Sequence, residues 1–550
     1  MKDKRFLADS DEHYEPDVRL PWSVSRSNGY HTRIPAGTRV HETRGAADYA
    51  LVLLADGAPD RIRRAHDVLD ALLDLQNTDP TAEHYGLWGY FREEPAEQMA
   101  PADWNWADFI GVRLAQVLAA HAAALDPPVR TRVEEGLRHA ALAIFRRNVG
   151  AAYTNIALLG AVTCAAAGEL LAMPYLVGYA RIRLTRILER LDADGGFAEY
   201  NSPTYSPFLL DIAERSAVIV ADAEVAALVE QVRVRAWEAL AERFHPGTGQ
   251  LAGPQARAYE DWLRPGIAQY LAEQTGAPVE PHAGVPEDPT PRVAPALPCP
   301  PHLAPRFACL PTDPHVVRTG FGIGNRGVEL VGTTWLTADA CLGTTNEEFA
   351  WTQRRPLLGY WRTATDPAVV LRARILLNGH DLTAAWCRQV QDGPRVLSAW
   401  WLSYDSGDFH PNLDKPADSL FAVEDLRLRV SLRGTGVSGR ANGADTFTLA
   451  AGERHATVHT GQADFLGTQA EWTLSEVDGE VAAEAVLYSG ERRTVDFHDA
   501  VLRAGFAVEL HAATEPHTDA PVRRDDGADA IAWRWADLAV DTPARPTPFA

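Results

Sequence analysis

An α/α toroid followed by an antiparallel β-sandwich is the fold class this sequence predicts, on three observations. Apolar residues recur at helical spacing from about residue 46 to residue 276. Residues 277–305 then hold ten prolines. Beyond residue 310 the pattern changes to short β-type runs punctuated by turn residues. The expected organisation is an N-terminal arm (1–45), a toroid (46–276), a proline-rich linker (277–310) and a sandwich (311–550).

In the toroid region, segments such as "RIRRAHDVLDALLDLQ", "VRTRVEEGLRHAALAIFRR" and "NIALLGAVTCAAAGELLA" define about nine helices joined by short turns. Short links force consecutive helices to pack side by side. Residues 155–171 are apolar nearly all round, whereas residues 127–147 carry a charged face. An inner ring of buried helices wrapped by an amphipathic outer ring produces that contrast. Ten prolines cannot continue a helix, so 277–305 reads as an extended linker. The runs that follow, among them "GVELVGTTWL", "LRLRVSLRG" and "AGFAVELHAA", number ten without intervening helices and predict a large antiparallel sandwich.

A chain of 550 residues is too long for one ordinary core. Its net charge of −22, from 74 acids against 52 bases, argues against nucleic acid as a partner, because phosphate binding needs a cationic field. No run reaches the roughly 20 apolar residues of a membrane span, and the N-terminus shows no apolar leader segment. Five scattered cysteines without a CxxC fit reduced thiols. Together these features predict a cytoplasmic chain. "GIGNRG" (322–327) has dinucleotide-loop spacing, but a β-type run follows it, so it reads as a turn. His380, Asp381 and His410 are scattered polar residues, and no metal or other cofactor is expected.

Chemistry-bearing residues concentrate in four places. "YGLWGYFREEPAEQMAPADWNWADF" (85–109) mixes Trp88, Trp104 and Trp106 with Glu93, Glu94, Asp103 and Asp108. Aromatic faces stack on pyranose rings while acids accept from sugar hydroxyls, so the mixture suits a saccharide groove; the plain alternative is a loop packed by its own aromatics, with Asp103 capping the next helix. Thr154 and Asn155 open an otherwise apolar helix, either as a cap or facing a cleft. "DADGGFAEYNSPTY" (192–205) ends one helix at Gly195 and Gly196, then holds Glu199, Tyr200, Asn201 and Tyr205 on a proline-stiffened loop. "GPQARAY" (253–259) places Arg257 and Tyr259 before a further helix, and in the sandwich "GTTNEEFAWTQRRPLLGYW" (343–361) brings Asn346, Trp351, Arg354 and Arg355. That last stretch either completes a local anion site or makes an ordinary ion-paired contact.

The order of these elements resembles the toroid polysaccharide lyases, the hyaluronate and chondroitin AC lyase family with its heparinase II/III-like relatives. Asn155, "DGGF" (194–197) with Tyr200 and Tyr205, and Arg257 stand in the order of that family's motifs, with Tyr200 where the family has a His. "WNWADF" and "EYNSPTY" also resemble a group of toroid proteins without an assigned activity. The resemblance implies β-elimination on a uronate-containing oligosaccharide or polysaccharide. Asn155 and Arg257 would then neutralise the carboxylate, Tyr205 would take the proton beside it, and Tyr200 or Tyr205 would return one to the leaving oxygen. Glu199 belongs to the same catalytic set, with Trp88, Glu94, Trp104, Trp106, Asp108, Asn201, Tyr259, Asn346, Trp351, Arg354 and Arg355 binding substrate. The rival expectation is an inverting glycoside hydrolase, which needs two carboxylates roughly 6.5–9.5 Å apart; Glu93, Glu94, Asp103, Asp108 and Glu199 supply candidates.

Overall fold

Among the described residues ten α-helices precede the two large sheets: α1 (Lys2–Glu12), α2 (Thr43–Asp56), α3 (Pro59–Leu73), α4 (Asn105–His121), α5 (Pro127–Arg147), α6 (Thr154–Leu170), α7 (Pro174–Asp194), α8 (Tyr205–Ile219), α9 (Ala223–Arg243) and α10 (Pro265–Thr275). The structure is a computed structural model and describes every residue except 1, 27–29, 288–290, 293, 325, 350–352, 406–416 and 550. Two compact units emerge. One comprises Met1–Asp192, Pro207–Trp237 and Asp288–Pro298; the other comprises Ala193–Ser206, Glu238–Glu287 and Cys299–Ala550. The glycine-turn loop and the segment holding Arg257 are thus part of the β-rich unit.

In the helical unit the inner and outer rows follow from side-chain pattern. α6 buries every residue from Thr154 to Gly168, as its all-round apolar sequence requires. α2 packs on α4 and α4 on α6, while α3 and α5 pack against this row and keep a solvent face. α5 shows the logic: Pro127 occupies its first turn, where a missing N–H costs nothing, and Val129, Val133, Leu137, Ala140 and Ile144 fall on one buried stripe. Asn148 ends it in the left-handed conformation, its N–H returning to the Ile144 carbonyl. α1 lies in the stretch expected to be an arm; its sequence KDKRFLADSDE is too charged to show an apolar period.

The β-rich unit carries two large sheets. One runs, edge to edge, Glu347–Phe349, Ala385–Asp392, Arg395–Tyr404, Leu502–Ala512, Arg454–Thr460, Thr446–Ala451 and Val437–Ala441. The other runs Glu471–Val477, Glu480–Asp496, Leu420–Arg433, Val369–Leu377, Leu357–Trp361, Ala340–Thr345, Glu329–Leu336 and His315–Ile323. Neighbours along both are antiparallel. Inward residues of both sheets, including Trp361, Ile375, Leu428, Trp400 and Phe506, share one core, the signature of a sandwich. The run "AIAWRWADLAV" reads as a single strand but folds as a hairpin, Ala530–Trp535 with Leu538–Pro543, because Ala536 takes a left-handed turn. Gly322 sits at positive φ where the strand His315–Ile323 shifts register, Gly327 at positive φ in the turn to Glu329–Leu336, and the Gly327 N–H donates to the Gly324 carbonyl.

Candidate active site

In the β-rich unit three segments are laced together by backbone bonds. The N–H of Ala256 donates to the Tyr200 carbonyl (3.0 Å) and that of Ala258 to Gln353 (2.8 Å), and Gln255 pairs with Arg355 in both directions. Asn201, at φ 44°, spends its amide N–H groups on the carbonyls of Ala252 (2.6 Å) and Pro254 (2.7 Å). Ser202 Oγ accepts from the Tyr205 N–H at 2.8 Å, capping the start of α8. Asn201 therefore builds the loop, and its amide N–H groups are not aimed at a ligand.

On this frame the Tyr205 hydroxyl lies 2.9 Å from the Tyr259 hydroxyl and accepts from Arg257 Nη2 at 3.3 Å. Tyr205 is half-buried and Tyr259 is exposed. Arg257 holds φ 57°, a left-handed conformation costly for a residue with a Cβ, and the lacing on either side keeps it there.

Tyr200 behaves differently from the expectation of a proton carrier. Its ring is 1% exposed and stacks on Phe321 at 4.4 Å. Its hydroxyl donates to Glu348 Oε2 at 2.7 Å, and Arg354 Nη1 reaches the same oxygen at 2.6 Å. Burial, reinforced by the Glu348 charge, pushes the Tyr200 phenol well above the ordinary range. A phenol so placed does not ionise near neutrality, which sets Tyr200 apart from the expected proton carrier. Arg355 is buried beside Asp261 (3.5 Å), where burial and the neighbouring Arg372 lower its pKa to about 10. Asn346 ties two strands, accepting from the Val331 N–H and donating to the Glu329 carbonyl. It also lines a cavity of about 420 Å³ with Glu347, Arg388 and Arg534. Glu199 is buried. Trp351 and His410 lie outside the described residues.

In the helical unit Asn155 is the second residue of α6, 1% exposed, and its Nδ2 has no hydrogen-bond partner among the described residues. Asp108 is buried in the first turn of α4, where loss of hydration raises its pKa to about 7 against the opposing pull of Arg147 and Arg183. Asp103 accepts from the Tyr90 hydroxyl (2.7 Å) and the Asn105 N–H (2.9 Å), so it supports the helix start. Glu94 is buried with Oε1 on the Arg33 N–H, and Glu93 pairs with His41 at 2.6 Å. Trp88 corrects the groove expectation: it is fully buried, its indole N–H given to the Leu72 carbonyl, and it serves the core. Trp106 is part-exposed and lies 4.0 Å from Tyr90; Trp104, also part-exposed, stacks on His84.

Residues 23–267 match a family described as a domain of unknown function (DUF8769). No curated protein matches the chain. The solved structures similar to it include a crystal structure of heparinase III, with 9% identity over 99% of this chain and 91% of that one and a TM-score of 0.49. A second heparinase III structure has 11% identity over 98% and 90%, with a TM-score of 0.40.

No described group of three or more His, Cys, Asp or Glu side chains is placed to hold a metal ion, and no described helix is long and apolar enough to cross a membrane. The signal that sequence reasoning missed is Glu348, which gathers Tyr200 and Arg354 from across 148 and 6 residues of chain.

Proposed function

We propose that this chain is a carbohydrate-active enzyme that cleaves a uronate-containing oligosaccharide or polysaccharide by β-elimination. The observation that carries this reading is the part-exposed Tyr205 hydroxyl, seated between the Arg257 guanidinium and the Tyr259 hydroxyl. In the proposed step the Tyr205 oxygen removes the proton on C5, alpha to the uronate carboxylate. The electron pair forms the C4–C5 double bond, the C4–O4 bond breaks, and the departing oxygen takes a proton from Tyr205. The Arg257 guanidinium donates to this oxygen and the Tyr259 hydroxyl can either donate or accept, a setting that suits an oxygen which takes a proton and returns it. The guanidinium carries five N–H donors, so one edge can meet the phenol while others meet a carboxylate. Asn155 is proposed separately as a donor: a buried amide whose Nδ2 lacks an acceptor is held ready for one.

The chemistry is tested by incubating the protein with a panel of uronate-containing oligosaccharides. Ultraviolet absorbance and new reducing ends are read on the same samples. Matching gains in both support elimination, whereas reducing ends without absorbance contradict it and show hydrolysis. Hydrolysis has one observation in its favour, since a carboxyl whose pKa is raised to about 7 has the protonation a general acid needs. Asp108 is, however, only 2% exposed.

A further inference from the structure

The inner row of the helical unit contains a cation with no directly bonded acid among the described residues. Arg44, on the first turn of α2, makes no hydrogen bond and no ion pair among the described residues, although it is part-exposed. Its neighbours explain why no acid is bonded to it directly. Arg113 engages Asp48 through two bonds, Nε at 2.7 Å and Nη2 at 2.8 Å, and gives Nη1 to the Phe109 carbonyl. Arg215 engages Asp211 at 2.8 Å and Gln116 at 2.9 Å. Three guanidiniums thus stand near two carboxylates, and each carboxylate is hydrogen-bonded to a guanidinium other than that of Arg44, which feels both charges only at longer range. One positive charge is left over, on a protein whose net charge is −22.

Aromatic rings neighbour that charge. The Arg44 guanidinium carbon lies 4.2 Å from the centre of the Phe109 ring. Phe109 meets Trp106 at 5.6 Å and Phe208 at 5.9 Å, and all three rings keep part of their surface in solvent. The ring face attracts the cation without using up its N–H groups, the donors that grip an oxyanion in bidentate fashion. Desolvation, with Arg113 adding repulsion, lowers the Arg44 pKa to about 10.

We propose that Arg44 binds the oxyanion of an acidic sugar, a carboxylate or a sulfate, while the sugar ring stacks against the exposed aromatic faces beside it. The choice of a sugar rests on the elimination reading above; the oxyanion preference does not.

The test uses the full chain and a glucuronate-containing sulfated tetrasaccharide, with its carboxyl-reduced and its desulfated forms. Binding is titrated by calorimetry for the wild type, Arg44→Ala and Arg44→Lys. The Ala variant is expected to bind the parent saccharide about 10- to 100-fold more weakly, and the Lys variant to fall between. Whichever chemical form loses affinity for the wild type names the oxyanion, and that form is expected to be indifferent to the substitution. Removing a desolvated cation without a partner leaves the chain at least as heat-stable as before, so a melting curve separates binding from folding. The proposal is overturned if the wild type binds neither anionic form, if Arg44→Ala binds the parent within twofold of the wild type, or if the variant melts well below it. Binding without turnover sinks elimination and leaves this site standing; turnover indifferent to Arg44→Ala sinks the site alone.

Discussion

Replacing Asp108 by Asn changes how the stability of the helical unit responds to pH. In the fold this carboxyl is 2% exposed, its pKa raised from 3.8 to about 7 by burial. Gly160 of α6 faces it so closely that a Cβ there would lie 2.6 Å from Asp108 Oδ1, so the acid cannot swing out along that side. The folded pKa exceeds the unfolded one, so between the two values the folded chain binds a proton that the unfolded chain has released. The stabilisation is fully present below about pH 4 and fades as pH rises through about 7. A displacement of about 3 pKa units corresponds to about 4 kcal/mol as an upper bound. Asparagine keeps the shape without the ionisation, so the variant should be flatter with pH over this window. Urea unfolding followed by helical circular dichroism at about pH 5 and about pH 8 measures the slope for both proteins. The wild type should lose more stability than Asp108→Asn between the two conditions, by up to about 2.6 kcal/mol, because part of the effect is already lost between about pH 4 and about pH 5. Equal losses would refute the assignment of a protonated, buried carboxyl.

Further outcomes follow from the β-rich unit and the thiols. Glu348→Ala strips a shared acceptor from the buried Tyr200 hydroxyl and Arg354 guanidinium, and should cost about 3–5 kcal/mol in chemical denaturation; a cost near zero would show that the triad is idle. His459 is buried, and loss of hydration together with the neighbouring His517 lowers its pKa to about 4. Its sign is opposite to that of Asp108. The unfolded chain takes up the proton first as pH falls below about 6.5, so stability is lost toward about pH 4, by at most about 3 kcal/mol, and His459→Gln should soften that acid loss in a pH series of urea melts. Of the five cysteines only Cys309 is exposed, while burial pushes the Cys341 thiol up to about 12. A thiol reagent should therefore label one group per native chain and five after unfolding.

How much of this was legible in the sequence depends on the range of the interaction. α6 was plain because an apolar run with no polar face has to be buried, and the nine helices from α2 to α10 follow the same local periodicity. α1 was not, since eleven mostly charged residues carry no stripe. Short strands such as Ala340–Thr345 and Leu357–Trp361 are harder to bound from sequence, because strands buried on both faces lose the alternation that marks them. Within the candidate site, Tyr205 and Arg257 were named from motif order. The environment that separates Tyr200 from Tyr205 was out of reach, because it depends on Glu348, 148 residues away from Tyr200. Arg44 gave no signal at all: "HETRGAADY" reads as an ordinary helix start, and only the three-dimensional pairing of Arg113 and Arg215 with other acids reveals the charge left over.

The central claim is that the Tyr205 phenol moves the proton, and Tyr205→Phe tests it most directly because it removes one oxygen and leaves the ring. With an acidic oligosaccharide that the wild type converts to an unsaturated product, the account predicts a fall in the rate of absorbance increase of about 10²- to 10⁴-fold, with binding and melting little changed. A phenylalanine variant that eliminates at the wild-type rate would contradict it.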